Sequence, residues 1–225
     1  MTGDFDVVRH PRARRTKLSF DPLTGRARLT LPPRASLDRA LLWARAQAAW
    51  VERQRAAVPA ARPFVPGAIL PVDGAMLTID WREGMPRMPA RADDRLVLGG
   101  PVETVARRVE AWLKRQALAV LIADTAHYAA RAGVTVSTVA IGDPRGRWGS
   151  CAHDGAIRYS WRLILAPPEV RRATAAHEVA HRVHMNHSRA FHDLAARLYG
   201  ADPTLQRQWL RAQGASLHWF GRSPS

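Results

Sequence analysis

The stretch Ala175-Ala176-His177-Glu178-Val179-Ala180-His181-Arg182-Val183-His184-Met185-Asn186-His187-Ser188 decides how the rest of the chain is read. Five of the nine histidines fall between His177 and His192, and His177 to His181 spells HExxH on a segment of helical pattern. Residues four apart lie on one helix face, about 6 Å apart along the axis, so two imidazoles can meet on one ion. Glu178 stands one step round from the first histidine, where a carboxylate reaches a metal-bound water instead of the metal. A catalytic zinc takes three protein ligands and keeps a fourth position open. Two residues compete for the third place. His184 follows His177 by seven residues, on the face that a continuing helix would present. His187 follows His181 by six, the spacing of the third ligand in HExxHxxGxxH. His184 stands where that pattern has glycine, and no methionine turn follows. Asn186 can supply the chain reversal, because asparagine tolerates the left-handed region. Spacing favours His187 over His184.

Outward from this stretch, the pattern predicts a helix beginning after Pro167-Pro168, with Glu169 at its positive end. Ser188 caps a further helix holding Phe191, Leu194, Ala195 and Leu198, and Pro203 opens a last one through Leu210. Upstream, a long helix is expected from about Val102 to Ala132, closed by Gly133. Strict alternation over Val134–Ile141 predicts a strand, and Ile157–Leu165 a second, with turns at Asp143-Pro144-Arg145-Gly146 and His153-Asp154-Gly155. Before Gly99–Gly100 the chain changes character. Arg26–Leu31 alternates as a half-buried strand, and Ser36 caps a helix running through about Arg55. Proline-rich turns lead to strands near Ala75–Asp80 and Leu96–Leu98, separated by a Glu83–Asp94 loop. The expected organisation is a β-rich region with one helix over 1–99 and a catalytic domain over 100–225.

Composition sets limits on the chemistry. The 225 residues carry 34 Lys+Arg against 19 Asp+Glu, for a net charge of +15, and are 47% hydrophobic, which excludes wholesale disorder. Cys151 is the only cysteine, so an intrachain disulfide and a cysteine-rich zinc site are excluded. No run approaches the ~18 apolar residues of a membrane span. The opening MTGDFDVVRHPRARR lacks an apolar region after its basic residues, so a cytoplasmic protein without a secretory signal is expected. Nearly all the positive charge is arginine, since Lys17 and Lys114 are the only lysines. With alanine and proline plentiful, this bias matches a GC-rich coding sequence. The cluster Arg9, Arg12, Arg14, Arg15 and Lys17 keeps nucleic acid open as a partner without favouring it.

Three segments occur together with the histidine stretch and carry a resemblance. Arg147-Trp148-Gly149-Ser150-Cys151, Trp161-Arg162-Leu163-Ile164-Leu165-Ala166-Pro167, and HExxH through Asn186-His187-Ser188 and Phe191 follow in one order. The chain thereby resembles the YgjP-like family (DUF45; WLM/SprT-related) of zinc metallopeptidases, from its basic N-terminal strands and Trp50 helix to Trp209-Leu210. The resemblance implies a zincin-like α+β fold, one zinc held by His177, His181 and His187, and Glu178 as general base. Two departures stand out. Phe191-His192 replaces the family's usual Phe-Trp, and Ala173-Thr174-Ala175-Ala176 replaces a Tyr-Val-Val-type run.

The functional expectation is a zinc-dependent peptidase in which Glu178 takes a proton from the zinc-bound water and passes it to the leaving amine. The Val134–Ile141 or Ile157–Leu165 strand would offer an edge to an extended peptide. Arg147 and His192 are candidates for contact with substrate. The simpler reading of the first is a packed turn, with Trp148 and Cys151 filling core and Gly149 allowing a tight backbone, and of the second a partly exposed helix residue. Cys151 lacks the surroundings of a nucleophile. The same zinc-and-glutamate pair can attack a phosphoryl group, so a nucleotide or phosphoester hydrolase acting on an anionic small molecule is the alternative, followed by a DNA-associated SprT-like protein.

Overall fold

In a computed structural model the described residues are 5–21 and 24–223, and the chain divides into two compact units, Met1–Ala60 and Ala61–Ser225. In the first unit, β1 (Phe5–Arg9), β2 (Lys17–Asp21) and β3 (Arg26–Leu31) form a sheet with β3 in the middle, parallel to β1 and antiparallel to β2. Alternation in β3 does what its sequence demands: Ala27, Leu29 and Leu31 are buried while Arg26 and Arg28 face out. Helix α1 (Leu37–Ala46) covers this face with Ala40 and Ala44, and its N-cap Ser36 accepts a hydrogen bond from the Arg39 amide. The single helix expected through Arg55 is two. At Gln47 the amide turns back to the Ala44 carbonyl and ψ is 14°, so α2 (Ala48–Ala56) starts afresh.

The second unit begins well before Gly99–Gly100, where the sequence reading had drawn its boundary. Strands β4 (Ile69–Val72), β5 (Ala75–Trp81), β6 (Ala90–Ala92) and β7 (Arg95–Leu98) form a sheet of order β4-β5-β7-β6. Its buried Leu70, Leu77, Ile79, Leu96 and Leu98 share one core with Val109, Leu113 and Leu121 of the long helix α3 (Val105–Ala132). Hydrophobic burial of this kind does not stop at a glycine pair, and Gly99–Gly100 is a turn within a packed unit. Strand β4 carries Pro71, which is tolerated because β4 lies at the sheet's edge. Strand β6 lies inside the segment expected to be all loop.

Helix α3 ends where predicted, on Gly133 at φ +65°. The strand that follows is shorter than its alternation suggests. The Val134 amide is taken by the Ala129 carbonyl at the end of α3, so β8 covers only Thr138–Gly142. Likewise the expected Ile157–Leu165 strand stops at Ser160. Its hydroxyl accepts from the Arg162 amide and starts a fully buried 3-10 turn over Trp161–Leu165. Strands β9 (Gly149–Cys151) and β10 (Ala156–Ser160) complete a sheet of order β8-β10-β9, with β10 parallel to β8 and antiparallel to β9. Helices α4 (Pro168–Ala180), α5 (Arg189–Tyr199) and α6 (Thr204–Leu217) follow, the last running past Leu210. Among the described residues no helix is long and apolar enough to cross a membrane.

Candidate active site

Helix α4 begins with Pro168 at a position where a missing amide costs nothing, and it buries Ala175, Ala176, Val179 and Ala180 against the core. That packing fixes its rotation and so aims His177 and Glu178. The helix does not continue to Met185. His181 is its C-cap, and the Val183 and His184 amides both return to the Ala180 carbonyl. The chain then reverses toward α5, whose N-cap Ser188 accepts from the Phe191 amide. Asn186 takes part through its side chain, which accepts from the Ser188 amide at 3.3 Å. It does not adopt the expected left-handed backbone: Asp73 and Asp93 are the non-glycine residues with positive φ among those described.

This reversal carries His187 back over α4. One ring nitrogen from each of His177, His181 and His187 lies within 4.8 Å of the others, and His187 Nε2 is 3.2 Å from His177 Nε2. His184 is outside this group, because the early end of α4 takes it off the face shared by His177 and His181. It contributes its carbonyl oxygen, which lies 3.1 Å from His181 Nδ1. With the proton on Nδ1 donated there, Nε2 of His181 keeps its lone pair for an ion. The Phe191 ring, fully buried, backs all three imidazoles at centroid distances of 4.8, 4.4 and 4.8 Å.

The donor set fits a divalent metal. Nitrogens bound at 2.0–2.1 Å around a tetrahedral ion stand about 3.3 Å apart, close to the spacing of His177 and His187. Burial, then the neighbouring His181 and His187, pushes the His177 pKa down to about 4, and burial also lowers that of His181. Both rings are therefore neutral at pH 7, the form that binds metal.

Glu178 faces strand β9. A Cβ added at Gly149 would meet its carboxyl carbon at 2.6 Å, so only glycine allows the strand and carboxyl to lie so close. The residue is 5% exposed. Burial pushes its pKa up to about 8, with Arg147 the one charge pulling it back. In the metal-free site the carboxyl therefore holds its proton at pH 7, and a cation bound by the histidines would favour the carboxylate.

Arg147 lies exposed in the turn between β8 and β9, and His192 lies exposed on α5 with its ring 6.1 Å from that of His187. Both border a cavity of about 510 Å³ that also reaches His177 and Glu178. Trp148 packs against α6, where a Cβ on Gly214 would touch its ring at 2.7 Å. Burial pushes the Cys151 thiol up, away from a reactive thiolate. Three contributors were invisible in the sequence. The His184 carbonyl is a backbone group, Arg207, which borders the same cavity, looks like any helical arginine, and the contact of Gly149 with Glu178 joins residues 29 apart.

A buried carboxyl held beside three imidazoles able to share one ion belongs, as a class, with the metal-dependent hydrolases. The family is defined by comparison: the model of the YgjP-like, metallopeptidase domain matches residues 14–213, and the chain belongs to that family. No curated protein and no solved structure matches it.

Proposed function

We propose that the protein is a zinc peptidase in which His177, His181 and His187 hold one zinc and Glu178 is the general base. The observation that carries this reading is the convergence of three imidazole nitrogens next to a buried carboxyl. When bound, the metal supplies a Lewis acid that acidifies water and polarises a carbonyl. Glu178 accepts the proton of the attacking water on a carboxylate oxygen and returns it to the leaving amine nitrogen.

The remaining groups orient and shield. The His184 carbonyl fixes the His181 ring, and Phe191 closes the rear of the site to water. Strand β9 is an edge strand beside Glu178, so an extended peptide can add to it through backbone hydrogen bonds. Of the two strands expected to offer an edge, β10 is the middle strand and offers none, while β8 is the opposite edge of the same sheet. Arg147 sits where it can face the charge that develops on the substrate carbonyl oxygen. Phosphoester hydrolysis draws support only from Arg147 and Arg207 at the cavity, and Asp193 and Asp202 border it as well.

Glu178→Gln tests the assignment. Purified protein should hold about one zinc per chain by elemental analysis. The variant should retain it while peptide turnover falls about 100-fold or more. Full activity of Glu178→Gln on a verified substrate, or hydrolysis of nucleoside triphosphates in place of peptides, overturns it.

A further inference from the structure

The cavity beside the candidate metal site has a polarity that its position alone does not require. On α4 it is lined by Val170, Ala173, Thr174, His177 and Glu178. These positions follow the i, i+3, i+4, i+7, i+8 spacing of one helix face. A single stripe of α4 therefore runs from the proposed ligand and base to Val170. From Glu178 to Val170 it extends about 12 Å at 1.5 Å per residue. The opposite walls are Ala195 and Ala196 of α5 and Leu210 of α6.

Depth and rim differ in chemistry. Val170, Ala173, Thr174 and Ala195 are all buried, at 2–7% exposure. The Thr174 hydroxyl is already donated to the Val170 carbonyl at 2.9 Å, so the interior offers no free polar group from that residue. The polar members Arg147, His192, Asp193 and Asp202 are exposed, and they sit where solvent reaches them. Arg207 is turned toward Thr204, donating to its hydroxyl at 3.0 Å. Interiors are packed to near-crystalline density, and two helices facing each other with alanine would ordinarily close the gap. Here about 510 Å³ stays open, within the range of small-molecule pockets and ample for an aromatic side chain.

We propose that this recess is the specificity pocket of the site, and that it receives a bulky apolar side chain of the substrate residue next to the bond that is cut. The proposal rests on the peptidase reading for its chemistry, and on the alanine-lined recess for its selectivity. Ala173 and Ala196 set the width. Besides His177 and Glu178, the buried polar atom the wall offers is the unpartnered Gln206 Oε1, a single neutral acceptor. Charged side chains would have to leave water for it, so Lys, Asp and Glu are disfavoured in the depth of the recess.

The test uses the full chain loaded with zinc and two independent readouts. In the first, peptides identical except for Phe, Leu, Ala or Lys flanking one bond are digested and the cuts mapped by mass spectrometry. Phe or Leu should exceed Ala by about tenfold or more in kcat/KM. Ala173→Leu and Ala196→Leu should each reverse that order in favour of Ala while zinc content stays the same. In the second, ligand-observed NMR compares acetyl-phenylalanine amide with acetyl-alanine amide. Binding of the first alone, abolished by Ala173→Leu, supports the pocket even if no peptide is cut. In that case it is the peptidase reading that fails. Cleavage without preference for Phe or Leu overturns the pocket and leaves the peptidase standing. Neither cleavage nor selective binding overturns both.

Discussion

His184 and His187 divide the work at the residue scale. The first presents a backbone oxygen to His181, and the second presents its ring to the cluster. Removing the two side chains should therefore have opposite consequences. His187→Ala should reduce zinc content several-fold by elemental analysis, whereas His184→Ala keeps its carbonyl and should keep its metal. The reverse pattern would transfer the third ligand to His184. Spacing favoured His187, yet a continuing helix would have favoured His184. What separates them is the end of α4 at His181, and no proline or glycine there announces it. Helix ends of this type are set by which carbonyls the following amides choose, a choice made by tertiary packing.

Elements determine how close the base can come to its neighbours. Strand β9 passes over α4 at Gly149, and the Glu178 carboxyl fills the space where a side chain would be. Gly149→Ala should displace Glu178 and lower turnover about 100-fold with little change in zinc content, since the atoms a Cβ there would meet first all belong to Glu178. Retained activity would mean that strand and helix can part. Much at this scale could be read from pattern alone. Ser36 and Ser188 cap their helices, Gly133 ends α3, and Arg26–Leu31 alternates into a strand. The readings that missed did so where local pattern competes with distant partners. Val134–Ser137 alternates well, but the end of α3 claims its first amide. Trp161–Leu165 is apolar throughout, a composition shared by buried strands and buried turns. The alanines of α4 and α5 look like ordinary helix formers, and only their meeting makes them walls.

The whole second unit is tied together by buried arginines. Arg171 of α4 donates to Asp124 of α3 at 2.7 Å and to Asp73, in the turn between β4 and β5. That turn is further anchored by the Asp73 amide on the Ile164 carbonyl at 2.8 Å. Arg171→Ala strands two carboxylates and should cost about 3 kcal/mol in chemical denaturation, the low end for a broken buried pair because Asp73 is partly solvated. A loss near zero would mean the sheet is held by apolar packing alone. This clamp joins residues on either side of Gly99–Gly100, and composition cannot reveal such a pairing.

Stability should also respond to pH in a characteristic way once metal is removed. The Glu178 pKa of about 8 lies above its ordinary value of 4.5, so its contribution is full below 4.5 and is lost as pH rises through 8. The His177 pKa of about 4 lies below its ordinary 6.5, so its contribution is full above 6.5 and is lost as pH falls through 4. The melting temperature of chelator-treated protein should peak in between and decline on both sides. Glu178→Gln should remove the alkaline decline alone, measured by thermal denaturation across pH 4 to 9. An unchanged alkaline limb in that variant would contradict the buried, protonated carboxyl.

The order of residues along α4, α5 and α6 has a consequence for how the molecule comes into being. All three imidazoles lie between positions 177 and 187, whereas the far wall of the cavity waits for Leu210. Synthesis proceeds from the N-terminus, so the ribosome releases the segment able to capture an ion before it releases the helix that completes the cavity. A newly made chain can thus hold its ion while it still lacks the wall that would seat a substrate.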